Sequence, residues 1–197
     1  MPPELQFLEN ATWHCEPPDW SLDDTGLSVR TGDSTDFWQG TYYGFHRDDG
    51  HFYGASINGN FTAAVDFEGA YQTLYDQAGL MMRADRDNWI KAGIEFSDDI
   101  ANFSVVVTRD GRSDWSVVGA PWAKGAQTIR LTRLDGAVLI HHRGMDGGWN
   151  LMRLAGFPPA DSLRIGPMAC SPQREGFTAK FTAFRVSPPV SSPLHDN

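Results

Sequence analysis

The chain alternates with period two from Tyr75 to Arg83 and again from Trp89 to Phe96, and no other feature narrows its fold so far. Successive side chains on a strand point to opposite faces, so each run has one apolar face and one decorated face. The apolar sets are Ala78, Leu80 and Met82 in the first run and Ile90, Ala92, Ile94 and Phe96 in the second. The short polar link Asp85-Arg86-Asp87 makes the pair a hairpin. For the apolar sets to share a face, Arg83 must lie opposite Trp89, Met81 opposite Lys91, Gly79 opposite Gly93, and Gln77 opposite Glu95. The neighbouring register would set Arg83 against Lys91, and like charges directly opposite are unfavourable.

Alternating or β-rich segments recur through the chain at 26–31, 61–68, 102–109, 113–118, 127–134, 137–142, 149–154 and 176–186. Asn58-Gly59, Asp110-Gly111, Asp135-Gly136 and Asp146-Gly147-Gly148 punctuate them, and such pairs between alternating runs are strong hairpin signals. No stretch holds a 3.6-residue period over three turns, so helix is expected only as short turns, near Asp19–Asp23. The fold class is all-β: an antiparallel sandwich of about a dozen short strands. In the last strand the apolar phase changes from odd (Phe177, Ala179, Phe181) to even (Phe184, Val186), which predicts a bulge near Thr182–Ala183. One domain is expected over 1–187, followed by a disordered Pro/Ser tail at 188–197.

With 25 acidic against 16 basic residues, the net charge is −9. A phosphate footprint needs clustered Lys and Arg, so neither nucleic acid nor an anionic membrane surface is an expected partner. No apolar run reaches the length of a membrane-spanning helix. The start, Met1-Pro2-Pro3-Glu4, lacks the basic and apolar stretches of an export signal, and the expected compartment is the cytoplasm. There Cys15 and Cys170 are expected as reduced thiols, and the sequons at Asn10, Asn60 and Asn102 carry no meaning. His46, His51, His141 and His142 lack metal-ligand spacing, and the Asp48-Asp49-Gly50 and Asp85-Arg86-Asp87-Asn88 turns lack calcium-loop spacing. No metal and no cofactor is expected.

Five strings resemble a known family: Thr35-Asp36-Phe37-Trp38, Tyr75–Met81, Trp89–Glu95, Ser113-Asp114-Trp115-Ser116 and Gly166-Pro167-Met168-Ala169-Cys170-Ser171-Pro172. The chain is similar, from about Asp36 to Val186, to a family of unknown function found in bacteria and fungi, one member of which is named as a regulator of enolase in yeast. That family is placed in the concanavalin A-like lectin/glucanase superfamily. The resemblance implies a jelly-roll sandwich and supplies no catalytic mechanism.

The candidate ligand face is the decorated face of the hairpin: Gln77, Gly79, Arg83, Trp89, Lys91, Gly93 and Glu95. The paired glycines either floor a shallow groove or relieve curvature of the sheet. A type I′ turn at Asp110-Gly111 pairs Arg109 with Arg112 and puts Trp115 opposite Val106. If Phe103, Val105 and Val107 face the core, Trp115 joins the decorated face, where an indole suits stacking on a sugar ring. Trp38 and Trp149 are weaker candidates. Glu95 is the best candidate for a catalytic carboxylate, yet glycoside hydrolysis needs two, roughly 5–9.5 Å apart. Asp76 and Asp114 fall on the wrong parity, which leaves Asp36 as the partner to consider. The leading reading is a module that binds a carbohydrate or sugar phosphate, the phosphate suggested by Arg83 and Lys91. The alternatives are a regulatory protein that binds another protein, and an uncharacterised glycoside hydrolase.

Overall fold

A computed structural model describes residues 1–160 and 162–195. A short 3-10 helix, Pro3–Asn10, opens the chain and buries Leu5 and Leu8. Strands β1 (Thr12–His14), β2 (Asp19–Asp23), β3 (Gly26–Arg30), β4 (Phe37–Gln39) and β5 (His46–Asp48) follow. Next come β6 (His51–Ile57), β7 (Phe61–Gly69), β8 (Gln77–Arg83), β9 (Trp89–Ser97), β10 (Ile100–Arg109) and β11 (Arg112–Gly119). The chain continues through β12 (Gln127–Leu134), β13 (Ala137–Arg143), β14 (Trp149–Gly156), β15 (Leu163–Cys170) and β16 (Thr178–Ser187).

Two seven-stranded antiparallel sheets result, ordered β1-β6-β15-β8-β9-β10-β11 and β14-β13-β12-β7-β16-β3-β2. Between them lies the main core. Leu80, Ile90, Val105 and Ile165 of the first sheet meet Val65, Phe67, Leu131 and Phe181 of the second. The all-β sandwich expected from the alternation is therefore present.

The register of β8 against β9 is the one the charge argument selects, with Gln77 opposite Glu95, Gly79 opposite Gly93, Met81 opposite Lys91 and Arg83 opposite Trp89. At the β10–β11 turn Asp110 and Gly111 have φ of 50° and 70°, the two positive values that type I′ demands. Trp115 lies opposite Val106, and the bulge in β16 falls between Phe181 and Ala183. Asp19–Asp23 is an edge strand rather than a helical turn. In the Pro/Ser stretch the Val190 N–H donates to Thr62 Oγ1 at 3.1 Å and Pro193 is buried, while the last two residues of the expected tail, 196 and 197, lie outside the described residues.

Three elements that the sequence reading left unassigned give the site its setting. The hairpin β4–β5 lies over the outer face of the first sheet and forms a second apolar cluster there: Phe37, Trp38, Phe52, Met81, Trp89, Val106, Met168 and Cys170. Because that face is covered, β8 is buried along its whole length and β6 over His51–Ala55. The third element is β15, a central strand despite Gly166-Pro167. Its ladder to β8 is continuous, while its ladder to β6 is interrupted at these two residues, so the missing proline N–H is tolerated.

Candidate functional site

The hairpin β4–β5 covers only one end of the decorated face. Arg83 and Trp89 lie under the covered end. Arg83 grips Asp48 through both guanidinium nitrogens, at 2.6 and 2.9 Å. Burial works against the Asp48 carboxylate, but hydrogen bonds from His14 and Arg83 prevail and hold its pKa below the ordinary value. Trp89 is fully buried against Phe37, with its Nε1–H donated to Arg86 O at 3.0 Å. Neither residue reaches a ligand-accessible space, and both leave the candidate set: the hairpin that covers them starts 40 or more residues earlier in the chain. The groove expected over Gly79 and Gly93 is also absent. The two glycines are buried and pressed together, so that a Cβ on Gly79 would stand 2.1 Å from Ala92 O. These glycines permit close approach of the two paired backbones.

Open space begins beside them. A cavity of about 270 Å³ is floored by Gln77, Lys91, Glu95 and Val106 and walled by Asp36, Trp38, Tyr43, Phe45, Tyr75, Trp115, Pro172 and Gln173. Four adjacent strands build this region, with Gln77 on β8, Lys91 and Glu95 on β9, Val106 on β10 and Trp115 on β11. Gln77, Lys91, Glu95, Trp115 and Asp36 are thus brought together as candidates, while Gly93 lines only a void of about 10 Å³ alongside, room for about one water.

Lys91 is buried and its ammonium is committed. Nζ donates to Phe37 O at 2.9 Å and to Asp36 Oδ1 at 3.2 Å. Burial, the largest single influence, would lower its pKa, but the nearby charges, Asp36 foremost and also Glu95, together with the Asp36 hydrogen bond, outweigh burial and raise it. Glu95 is buried, and among the described residues it has no ion-pair partner at contact distance. Its Oε2 accepts from Ser104 Oγ at 2.7 Å, and Ser104 in turn accepts from Trp115 Nε1 at 3.0 Å. Burial raises the Glu95 pKa, only partly opposed by the charge of Lys91 and the Ser104 bond. This relay orients Trp115, which remains 36% exposed.

The aromatic wall is continuous. Trp38 and Tyr43 rings lie 5.7 Å apart, the Tyr43 and Tyr75 hydroxyls 3.3 Å apart, and the Tyr75 and Trp115 rings 6.5 Å apart. Tyr75 is held in a left-handed conformation, φ 67°, by the turn before β8. The buried carboxylate of Asp76 fixes that turn by accepting from the N–H groups of Gln72 and Thr73 and from Arg174. Since Arg174 follows Pro172-Gln173, one ion pair fastens two parts of the wall. Tyr43, Phe45, Tyr75, Ser104, Pro172 and Gln173 were missed from sequence. Tyr75 and Pro172 lie in strings that resemble the family, and Tyr42-Tyr43-Gly44-Phe45 is a loop too aromatic to be an ordinary solvated turn.

The remaining candidates stand elsewhere. Trp149 is flanked by Arg130 and Arg143 on the second sheet, with guanidinium carbons 4.2 and 4.8 Å from its ring centre. His51 is buried, with Nε2 accepting from the Gly32 N–H at 2.9 Å and Nδ1 2.7 Å from Cys15 O. His142 stacks on Phe103 with ring centres 4.0 Å apart. Cys15 and Cys170 are free thiols, the first exposed and the second buried. Among the described residues no helix is long and apolar enough to cross a membrane.

Two packed antiparallel seven-stranded sheets make this protein a β-sandwich of the jelly-roll class. The chain of carbohydrate-binding module CBM66 from Bacillus subtilis has this fold, at TM-score 0.56 and 17% identity, with 90% of this chain and 97% of that one covered. Residues 13–189 match the family described as protein of unknown function DUF1349, and the chain belongs to that family. It is 41% identical over 191 residues to "Regulation of enolase protein 1" of Saccharomyces cerevisiae, covering 96% of this chain and 95% of the relative. A crystal structure of a functionally unknown Saccharomyces cerevisiae protein superposes with TM-score 0.89 at 40% identity, covering 93% of this chain and 99% of that one.

Proposed function

We propose that this protein binds a carbohydrate in the Glu95 pocket, with the sugar ring on Trp115 and its hydroxyls on Gln77 and Glu95. The observation that carries the reading is the pocket's composition. Apolar and aromatic walls surround a few buried polar groups, and such sites use the walls for contact and the polar groups for orientation. The Bacillus subtilis module, described as carbohydrate binding, supplies a precedent for the fold in that task. Turnover is not proposed. The second carboxylate, Asp36, is occupied by Lys91 and by the Phe37 N–H at 2.7 Å, so Glu95 lacks a free partner for acid–base work.

A glycan array followed by thermal shift tests the reading. A bound sugar raises the melting temperature of the wild type, because it binds only the folded chain. Trp115→Ala should weaken that sugar by about tenfold or more, about 1.4 kcal/mol. A wild type that no glycan stabilises at millimolar concentration would end this proposal.

A second reading, a regulator that acts by binding another protein, rests on the name of the yeast relative and on Tyr42, which is 92% exposed on the β4–β5 loop. Exposed aromatic residues are favoured as interface anchors. Purified enolase titrated into the protein in a calorimeter should then give heat that Tyr42→Ser abolishes; absence of heat removes this reading.

A further inference from the structure

We infer that the pocket takes the uncharged end residue of a glycan and excludes both phosphorylated sugars and the interiors of chains. This inference rests on the carbohydrate reading above and narrows it. Charge disfavours an anionic ligand. Arg83, which with Lys91 suggested an anionic ligand, is closed off with Asp48. Lys91 reaches the pocket but is already shared between Asp36 and a backbone carbonyl. Arg174, behind Gln173, is bound to Asp76. The pocket thus presents one neutralised ammonium and the carboxyl of Glu95. A phosphate dianion needs unpaired guanidinium, ammonium or N–H donors. Here it would displace Asp36 from Lys91 or face Glu95 at short range, where like charges away from water repel strongly.

Shape favours a chain end. The rings of Trp38, Tyr43, Tyr75 and Trp115 form a collar along the pocket's rim, bridged between the hairpin and the segment before β8 by the Tyr43–Tyr75 hydroxyl pair at 3.3 Å. A chain bound by its interior must enter and leave the site. A cavity of about 270 Å³ falls below the roughly 300–1,000 Å³ of sites for drug-sized ligands and has room for one or two sugar units. The polar groups at its floor, Gln77 and Glu95, are acceptors and amide donors suited to the hydroxyls of a terminal ring.

The test is calorimetric titration of the full chain with D-glucose, D-xylose, D-galactose, D-mannose and D-fructose, their linear oligomers of two to six residues, and the hexose 6-phosphates. End recognition predicts that affinity per molecule varies by less than about threefold from the dimer to the hexamer, with one protein per chain. The phosphate ester of the best neutral sugar should bind at least about tenfold more weakly, and Glu95→Gln should shrink that penalty. Tyr43→Ala opens the collar and should make affinity rise with chain length. Affinity that climbs more than about tenfold with length in the wild type overturns the end-binding assignment. A phosphate ester that binds as well as its parent sugar, or a penalty unmoved by Glu95→Gln, overturns the charge assignment. Binding of no sugar at all removes the carbohydrate reading itself, an outcome distinct from either.

Discussion

Replacing Lys91 with alanine is expected to cost about 3–5 kcal/mol of folding stability, measured by urea unfolding at neutral pH. Among the described residues the ammonium is the cation paired with Asp36, and it is the charge that opposes the upward push of burial on Glu95. Without it, one carboxylate loses its ion pair and the other loses its compensation inside a desolvated wall. Lys91→Met keeps the apolar stem and separates packing from charge.

The pH dependence identifies the source. Burial, the leading cause, raises the Glu95 pKa in the folded chain, so the folded state holds that proton more tightly than the unfolded state. Its contribution is therefore fully present below the unfolded value of about 4.3 and is lost as pH rises through the folded value. Removing Lys91 raises the folded value further. The stability deficit of Lys91→Ala should be smallest near pH 4 and grow toward pH 7. A deficit below about 1 kcal/mol, or one that does not change with pH, would mean that Lys91 contributes packing alone.

Gly93→Ala is expected to cost about 3 kcal/mol or more, because its methyl group has nowhere to go. A Cβ at Gly93 would stand 2.1 Å from Ala78 O and 2.7 Å from the Gly79 Cα, both backbone atoms of a paired strand. No side chain can rotate to make room, so β8 and β9 must separate in the centre of the sheet. Gly125→Ala serves as the comparison. That glycine has φ of 76° but nothing within 4 Å of the added atom, so only the left-handed backbone penalty of about 1–2 kcal/mol applies. Equal losses in the two variants, read from thermal unfolding, would show that steric contact between the strands does not control the first. Because Glu95 and Lys91 flank Gly93 on the same strand, separation of the strands should also abolish any ligand binding in the pocket.

Much of the pocket floor was legible in the sequence. Alternation in β8 and β9 and the charge conflict in the rival register fixed the pairing of Gln77 with Glu95. The Asp110-Gly111 turn fixed the face of Trp115 in the same way, since a two-residue loop leaves no freedom in the register that follows it. The walls were not legible. β6 and β15 lack alternation because both of their faces are covered, and Gly166-Pro167 is a poor local signature for a central strand. Tyr43, Phe45 and Pro172 come from loops that no period describes.

The separate fates of Arg83, Lys91 and Glu95 show where the division lies. All three sit at alternate-face positions of one hairpin, and the sequence by itself placed them on the same side. That follows from a two-residue repeat, a property of neighbouring residues alone. Whether each then meets solvent, an ion-pair partner or a cavity was decided by the β4–β5 hairpin, which brings Asp36, Phe37 and Asp48 across from a distant part of the chain. It seals one end of the face and stops short of the other, because its length and its packing on Phe52, Trp89 and Met168 set how far it extends. Such contacts are long-range in sequence, and no local pattern in β8 or β9 could carry them.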